Sequence, residues 1–539
     1  MGSGTTYLID RNGNVNHTWQ SMFFPGCAVW WLGDGTILRT IRTGDPGGGG
    51  AGGGVQEIQW DGTLIWDYRC NTEGNLSHHD VKSLPNGDVL LIVWESKTRI
   101  EAIAAGRNPN NILGNEFLTD KIIEVRPTGP TSGTVIWEWH AWDHLVQDYD
   151  SSKANYGVVG DHPELVDMNY AASSGYDWLH VNSVDYNESF DQILISVHTF
   201  NEIWVIDHST TTVEAAGHTG GRSGKGGDLL YRWGNSEAYR RGTSSDEKFF
   251  GQHDATWIKS GLPGEGDILV FNNGVNRPDG YYSTVDEITT PVNNLGEYYL
   301  APGSTYGPVA QTWIYKANPP TSFYSSFLSG AQRLTDGNTL ICNGEHGKFF
   351  EVTPEGETVW EYTNPYPLPS KNRVFKVVFI PPPEPPAHHV PDLHCTGSLS
   401  WTDVKPGATV HGSFQVQNIG DNGSLLNWTI NTSSITWGTW SYDPDHGENL
   451  TPEAGPLTVN VSVIAPKEKK ANFEGYIRVE NTQNPNNFEV IPVSLVTPAD
   501  NNINHLPPLL QLFLQFLQRY PFIEKLWDVM THLFSPLTS

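Results

Sequence analysis

Basic side chains are scarce in this sequence: 32 Lys and Arg stand against 60 Asp and Glu, for a formal charge of −28. So acidic a surface repels phosphate backbones and anionic headgroups, which excludes nucleic acid as a partner. Acidity of this kind also keeps an exported protein soluble and by itself implies no activity. Cysteine is rare as well. Cys27, Cys70, Cys342 and Cys395 lie far apart, with no CxxC, no haem-attachment motif and no zinc spacing, and they make no metal site by themselves. One or two disulfides, or burial as small apolar side chains, would both fit. A leader is lacking too: Met1-Gly2-Ser3-Gly4 runs straight into the strand-like Thr5-Thr6-Tyr7-Leu8-Ile9-Asp10, without a basic or an apolar segment. No signal peptide is expected in this chain, and its start reads as that of a mature or truncated product. Charged residues are only 17% of the total, too few for many long surface helices.

What is abundant is Gly (55), Pro (36) and Trp (20), a composition of short strands and tight turns. Trp-centred strand phrases recur at Thr6 to Trp19, Val55 to Tyr68, Lys121 to Trp139, Ile203 to Trp233, Gly307 to Tyr315 and Lys348 to Tyr362. Between them stand hairpin phrases such as WWLGDGTIL from Trp30, SLPNGDVLL from Ser83, NESFDQILI from Asn187, SGLPGEGDILV from Ser260 and RLTDGNTLI from Arg333. Asn-Gly and Asp-Gly suit tight β-turns, and the flanking alternation gives each strand one core face. Two hairpins per repeat make a four-stranded unit, and a period of about 40 to 60 residues is that of propeller blades.

The expected fold is therefore all-β: a six-bladed β-propeller over residues 1–380, an immunoglobulin-like β-sandwich over 392–497 and a short helical tail over 498–539. The late segment Arg373 to Ile380 is expected to pair with the N-terminal strand and close the ring. Pro381-Pro382-Pro383-Glu384-Pro385-Pro386 opens a Pro-rich linker over 381–391, because such a run cannot join a sheet ladder. Alternating segments such as ATVHGSFQVQNIG and LTVNVSVIA mark the sandwich. The tail carries apolar residues at helical spacing, including Leu509, Leu510, Phe513, Leu514, Phe522, Leu526 and Met530, broken at Pro521. Neither half is long enough to span a bilayer. Docking on the sandwich or a neighbouring subunit, self-assembly and contact with a membrane surface all remain open for it.

Histidines gather just before the first hairpin of successive repeats, where propeller strands begin at the central channel. The phrases are Ser77-His78-His79-Asp80, Trp178-Leu179-His180-Val181-Asn182-Ser183 and Gly251-Gln252-His253-Asp254. Phe271-Asn272-Asn273-Gly274 then leads to Arg277, and Asn343-Gly344-Glu345-His346-Gly347 follows the last hairpin. His79, Asn182 and Asn273 are read as substrate-binding. A His78, His79, Asp80 metal site is the competing reading, but no further cluster with ligand spacing stands beside it. Aromatics in Trp139-His140-Ala141-Trp142-Asp143-His144 and Trp178 are expected near the mouth, although most of the Trp residues suit packing.

In combination these phrases resemble the PAPS-independent aryl-sulfate sulfotransferase family: HxNS, QH, (D/N)NGxxR and a late His occur in that order within about residues 5 to 380. The resemblance implies sulfuryl transfer from a phenolic sulfate ester to a phenol by way of a sulfated histidine, with no diffusible cofactor and no metal. Residue by residue, His346 matches the nucleophile, and His180, His253 and Arg277 match the groups that hold the sulfuryl oxygens. The chemistry is consistent: an anionic ester needs positive charge on its oxygens and a proton donor for the leaving phenolate. The alternative is a non-catalytic extracellular propeller serving as a subunit of a filament, sheath or envelope layer. A secreted or cell-surface location is expected. Sequons at Asn422, Asn427, Asn431, Asn449 and Asn460, with Asn16, Asn75 and Asn187, would make the chain a glycoprotein in a host that glycosylates.

Overall fold

The computed structural model describes residues 3–44, 49–50, 52–72, 74–171, 176–380 and 390–499, and the chain divides into compact units of residues 1–380 and 381–539. In the first unit every repeat becomes an antiparallel sheet whose strands lie side by side in chain order. The first sheet comprises Pro25–Gly33, Thr36–Arg42, Gly53–Ile58 and Leu64–Arg69. The second comprises Asn75–Ser83, Val89–Thr98, Glu116–Gly129 and Ser132–His140, with Asn71–Thr72 beside its first strand. The third comprises Val181–Asn187, Gln192–Val197, Glu202–Asp207 and Tyr231–Trp233. The fourth comprises His253–Trp257, Ile268–Asn272, Thr284–Ile288 and Trp313–Tyr315. The fifth comprises Gly330–Arg333, Thr339–Asn343, Lys348–Val352 and Thr358–Thr363. Thr5–Ile9 and Val15–Gln20 form an N-terminal pair. The hairpin phrases are the turns between first and second strands, and the Trp phrases are the third and fourth strands.

Alternation along these strands buries apolar side chains between neighbouring sheets. Leu38, Val55 and Trp66 of the first sheet pack on Val81, Leu91 and Val93 of the second, and Ile203, Val205 and Trp233 of the third pack on Ala255, Ile268 and Val270 of the fourth. The Trp phrases have a second use. Trp66 donates its indole N–H to Ser132 O, Trp137 to Thr210 Oγ1, Trp233 to Pro308 O, Trp313 to Pro354 O and Trp360 to Arg11 O. Trp19 of the N-terminal pair then donates to Gly35 O of the first sheet. Each outermost Trp thus fastens its sheet to the next, and the series returns to where it began.

The segment 373–380 departs from expectation. It forms no strand and no ladder with Thr5–Ile9 among the described residues. Phe375 O instead accepts from Ser329 N, and the Gln332 amide bonds both N and O of Phe379, so the inner edge of the fifth sheet has captured the segment. Lys376, fully buried, lies 2.8 Å from Asp80 Oδ2 of the second sheet and 3.0 Å from Asp254 Oδ1 of the fourth. All four cysteines are free thiols, so of the two readings of the cysteines it is burial that the molecule adopts for Cys70, Cys342 and Cys395.

The second unit has two sheets. One runs Leu393–Thr396, Thr409–Asn418, Leu457–Ile464, Thr439–Asp443; the other runs Leu399–Trp401, Asn484–Val496, Asn472–Asn481, Leu426–Asn431, His446–Leu450. Phe414, Val416, Val459 and Val461 from the first meet Trp428, Ile477, Val479 and Ile491 from the second in one core. Of the expected Pro-rich linker over 381–391, residues 381–389 lie outside the described residues, as do residues 500–539 of the expected helical tail over 498–539.

Candidate functional site

Strand register decides what can meet. Val181 pairs with Val197, His253 with Phe271 and Gly330 with Cys342, so the start of each first strand and the end of each second strand share one rim. Irregularities follow at once: register shifts between Ser77 and Val81, Val181 and Ser183, and His253 and Thr256. Beside them, His79, His180 and Asp254 adopt φ of 52°, 51° and 53°, a left-handed conformation that non-glycine residues occupy at a cost. The same bulge recurs in three sheets and turns side chains off the strand toward the axis.

Five rings close a circuit there. Centroids of His79 and His180 are 4.6 Å apart, His180 and His198 5.2 Å, and His198 and His253 5.3 Å. Phe375 completes it, 6.2 Å from His253 and 5.9 Å from His79. One residue further along, Asp80, Asp254 and Lys376 form the floor of this cup. Burial disfavours the ammonium, but Asp254 and Asp80 outweigh that and hold the Lys376 pKa above its ordinary value. Gly50 lies against His79: a Cβ there would stand 1.8 Å from His79 Cε1, and Gly50 O accepts from His79 N at 3.2 Å.

Proton positions follow from the partners. His180 Nδ1 lies 2.6 Å from Asp177 Oδ2, whose other oxygen accepts from the Trp94 indole at 3.1 Å. Burial works against an imidazolium at His180, yet the Asp177 hydrogen bond, then the charges of Asp177 and Asp120, raise its pKa. The other histidines are held neutral. Burial, then repulsion from His180, His78, His253 and His198, drives His79 well down, and burial followed by His180 and His253 does the same to His198. Burial brings His253 to about 4 despite its bond to Asn273. The amide of Asn273 donates to Ser325 O and Leu328 O, which leaves Oδ1 facing His253 Nδ1 at 2.8 Å; that nitrogen is the N–H, and Nε2 keeps its lone pair.

A second chain reaches His79. Burial, and then Asp177, raise the Asp120 pKa well above its ordinary value, and burial lowers His78 to about 3. Asp120 Oδ1 lies 2.7 Å from His78 Nε2, and His78 Nδ1 lies 2.8 Å from His79 Nδ1. The cup offers an N–H donor from His180 and a lone-pair nitrogen from His253, a set suited to an anion that must also exchange a proton.

With this geometry in hand, comparison with known proteins is decisive at one point. The arylsulfotransferase (ASST) family model matches residues 2–372, most of the chain. The chain belongs to the arylsulfotransferase family. Membership suggests arylsulfate sulfotransferase activity, PAPS-independent by family, with an aryl sulfate donor and a phenol acceptor. No curated protein matches the sequence. Among solved structures, it is similar to a Bacteroides caccae protein of unknown function at 12% identity and TM-score 0.38, covering 70% of this chain and 94% of that one. It is similar also to virginiamycin B lyase from Staphylococcus aureus at 10% identity and TM-score 0.32, covering 67% and 78%.

For an arylsulfotransferase-family chain, the expected site residues fall into two groups. His79, His180 and His253 stand together in the cup, and Asn273 touches His253. Asn182 is buried between sheets, donating to Gln252 O at 2.8 Å. Arg277 and His346 share the rim but have no ring contact or hydrogen bond to the cup histidines among the described residues. Arg277 lies between the Phe250 and Tyr282 rings and donates to Thr284 Oγ1 at 3.2 Å. His346 is exposed in the turn after Asn343, its Nδ1 3.0 Å from Asn343 Oδ1. His78 and Asp80 are bonded to Asp120 and Lys376, so His78, His79 and Asp80 do not converge as metal ligands. Trp139 and Trp178 are core residues and do not frame the mouth, because their strands direct them between sheets. Sequence reasoning missed His198, Asp177, Asp120 and Phe375. His198 had a signal: it follows the second strand of its sheet at the position that Asn273 holds in the next.

Proposed function

We propose that the protein transfers a sulfuryl group from a phenolic sulfate ester to a phenol at the histidine cup, without a diffusible cofactor. The observation that carries this reading is the circuit of four imidazoles closed by Phe375, with Asp177 2.6 Å from His180 Nδ1 and raising its pKa. The sulfuryl oxygens would accept from His79 and the His180 imidazolium, with Arg277 supplying further charge. His346, by its match to the family, is the nucleophile. Its Nδ1–H is directed to Asn343, which supports a lone pair on Nε2. Attack forms the N–S bond and breaks the S–O bond to the phenolate, which takes a proton from a cup imidazolium. In the return step the acceptor phenol gives its proton to a cup imidazole, its oxygen forms the new S–O bond and the N–S bond breaks.

The test is to incubate the protein with an aryl sulfate, quench, and map sulfated peptides by mass spectrometry. A sulfohistidine at His346, with activity lost in His346→Ala, is expected. Full activity in His346→Ala with sulfation on the His253 peptide would move the nucleophile into the cup, and no sulfated histidine at all would end the ping-pong reading.

We read the first unit as a six-bladed propeller, supported by the six indole latches that link its sheets, and the second as an immunoglobulin-like module. We also place the protein at the cell surface or outside the cell, which exposed sequon asparagines at 16, 422, 449 and 460 support.

A further inference from the structure

At the outer edge of the second and third sheets, away from the cup, His144, His218 and Asp228 converge so that one ligand atom of each lies within 4.8 Å of the others. His144 follows the strand Ser132–His140 through the turn Ala141–Asp143, and Asp228 ends the loop that enters the strand Tyr231–Trp233. His144 is fully buried, and its Nε2 stands 2.8 Å from Ala215 O. A carbonyl only accepts, so Nε2 carries a hydrogen, and Nδ1 is the ring atom left to serve as a ligand. Nδ1 faces Asp228 Oδ1 at 2.8 Å, and His218 Nδ1 faces the same oxygen at 2.7 Å. Two imidazole nitrogens gathered on one carboxylate form a metal-ligating set, and a metal-bound histidine typically gives its other N–H to a carbonyl or carboxylate. The surroundings hold His144 in place. Trp139 lies parallel to His144 and donates its indole N–H to Gly227 O at 2.7 Å. A Cβ at Gly227 would stand 2.6 Å from His144 Nε2 and 2.0 Å from Ala215 O, so only glycine lets the loop reach the ring.

We propose that His144 Nδ1, His218 Nδ1 and Asp228 Oδ1 bind one divalent transition ion of the zinc type, with water completing a four-coordinate shell. Two imidazole nitrogens and one carboxylate oxygen suit Zn²⁺; Mg²⁺ and Ca²⁺ prefer oxygen cages. Bonds of about 2.0–2.2 Å put tetrahedral ligand atoms roughly 3.3 Å apart, so binding opens the cluster by about half an ångström. The His218 side chain, 60% exposed, and the Asp228 carboxylate supply that movement about a fixed His144. The ion pins the glycine-rich loop before Asp228 to the neighbouring sheet and takes no part in the cup's chemistry.

The experiment uses the full chain stripped with EDTA and dialysed. Zn²⁺ is titrated in competition with a chromophoric chelator, and Co²⁺ is added separately as a spectroscopic probe. One tight Zn²⁺ per chain and visible bands of four-coordinate Co²⁺ are expected in the unaltered protein. His218→Ala, at an exposed side chain, and Asp228→Asn should each weaken Zn²⁺ by about 100-fold or more, beyond the 10–100-fold typical of losing an outer hydrogen-bond partner. His253→Ala should leave the stoichiometry at one. Unchanged Zn²⁺ affinity in His218→Ala, no tight Zn²⁺ in the unaltered protein, or loss of the ion in His253→Ala would each overturn the proposal.

Discussion

Asp177 decides the charge of the cup, because burial alone would leave every imidazole in it neutral. Asp177→Asn removes the charge and keeps an acceptor for His180. The His180 pKa, followed by NMR, should fall below its ordinary 6.5. Loss of a charge-assisted bond worth about 1.5–3 kcal/mol should raise the KM for an aryl sulfate by roughly 10- to 100-fold. His208 is a separate case that concerns stability. It bridges Asp191 and Glu124, 2.7 and 3.0 Å away. Burial opposes its charge, yet the bonds to Asp191 and Glu124 raise its pKa from 6.5 to about 9. The folded-state value exceeds the unfolded one, so the stabilisation is full below pH 6.5 and is lost as pH rises through about 9. His208→Gln should therefore lower Tm clearly at pH 6, by on the order of 3 kcal/mol of stability, and hardly at all at pH 10.

Among elements, the bulged first strands and the loop above them are where sequence and site are most tightly joined. Gly50, at φ 68°, lies against His79 so closely that Gly50→Ala must displace the loop or the ring. Aryl sulfate turnover should drop by at least about tenfold while the far-UV spectrum of the sheets is unchanged; full activity would show that the loop does not position His79. The outermost strands can be tested through the Trp latches. Trp66 is buried and gives its N–H to the exposed Ser132, whose carbonyl water can reach once the indole is gone. Trp66→Phe should thus cost about 1 kcal/mol, and Trp66→Ala about 3–5 kcal/mol through the cavity it leaves, both read from urea unfolding.

For the whole first unit, Lys376 is the tie across the axis. It comes from the last stretch of the unit, beyond the region of the family match, and joins carboxylates of the second and fourth sheets. Lys376→Met leaves Asp80 and Asp254 buried without their cation and should destabilise the unit by about 3–5 kcal/mol in denaturant unfolding. Adding Asp80→Asn and Asp254→Asn should recover much of that loss, because the uncompensated charge, not the missing contact, carries most of the cost.

The β-strands, the hairpin turns and the pairing of strands in chain order were legible in the chain because they depend on local properties. Period-2 alternation, Asp-Gly turns and recurring Trp act within a few residues of themselves. His79, His180 and His253 were legible for a related reason, since each stands beside the irregular stretch of a first strand. The partners that give them their chemistry were not: Asp120, His198 and Phe375 reach the cup from positions distant in sequence, Asp177 acts from three residues before His180, and a protonation state depends on burial and neighbours that sequence does not list. The same is true of Lys376, read as part of an ordinary strand, and of His144, His218 and Asp228. Local sequence determined the elements of this protein; which charges and lone pairs face one another was decided only when the sheets closed around a common axis.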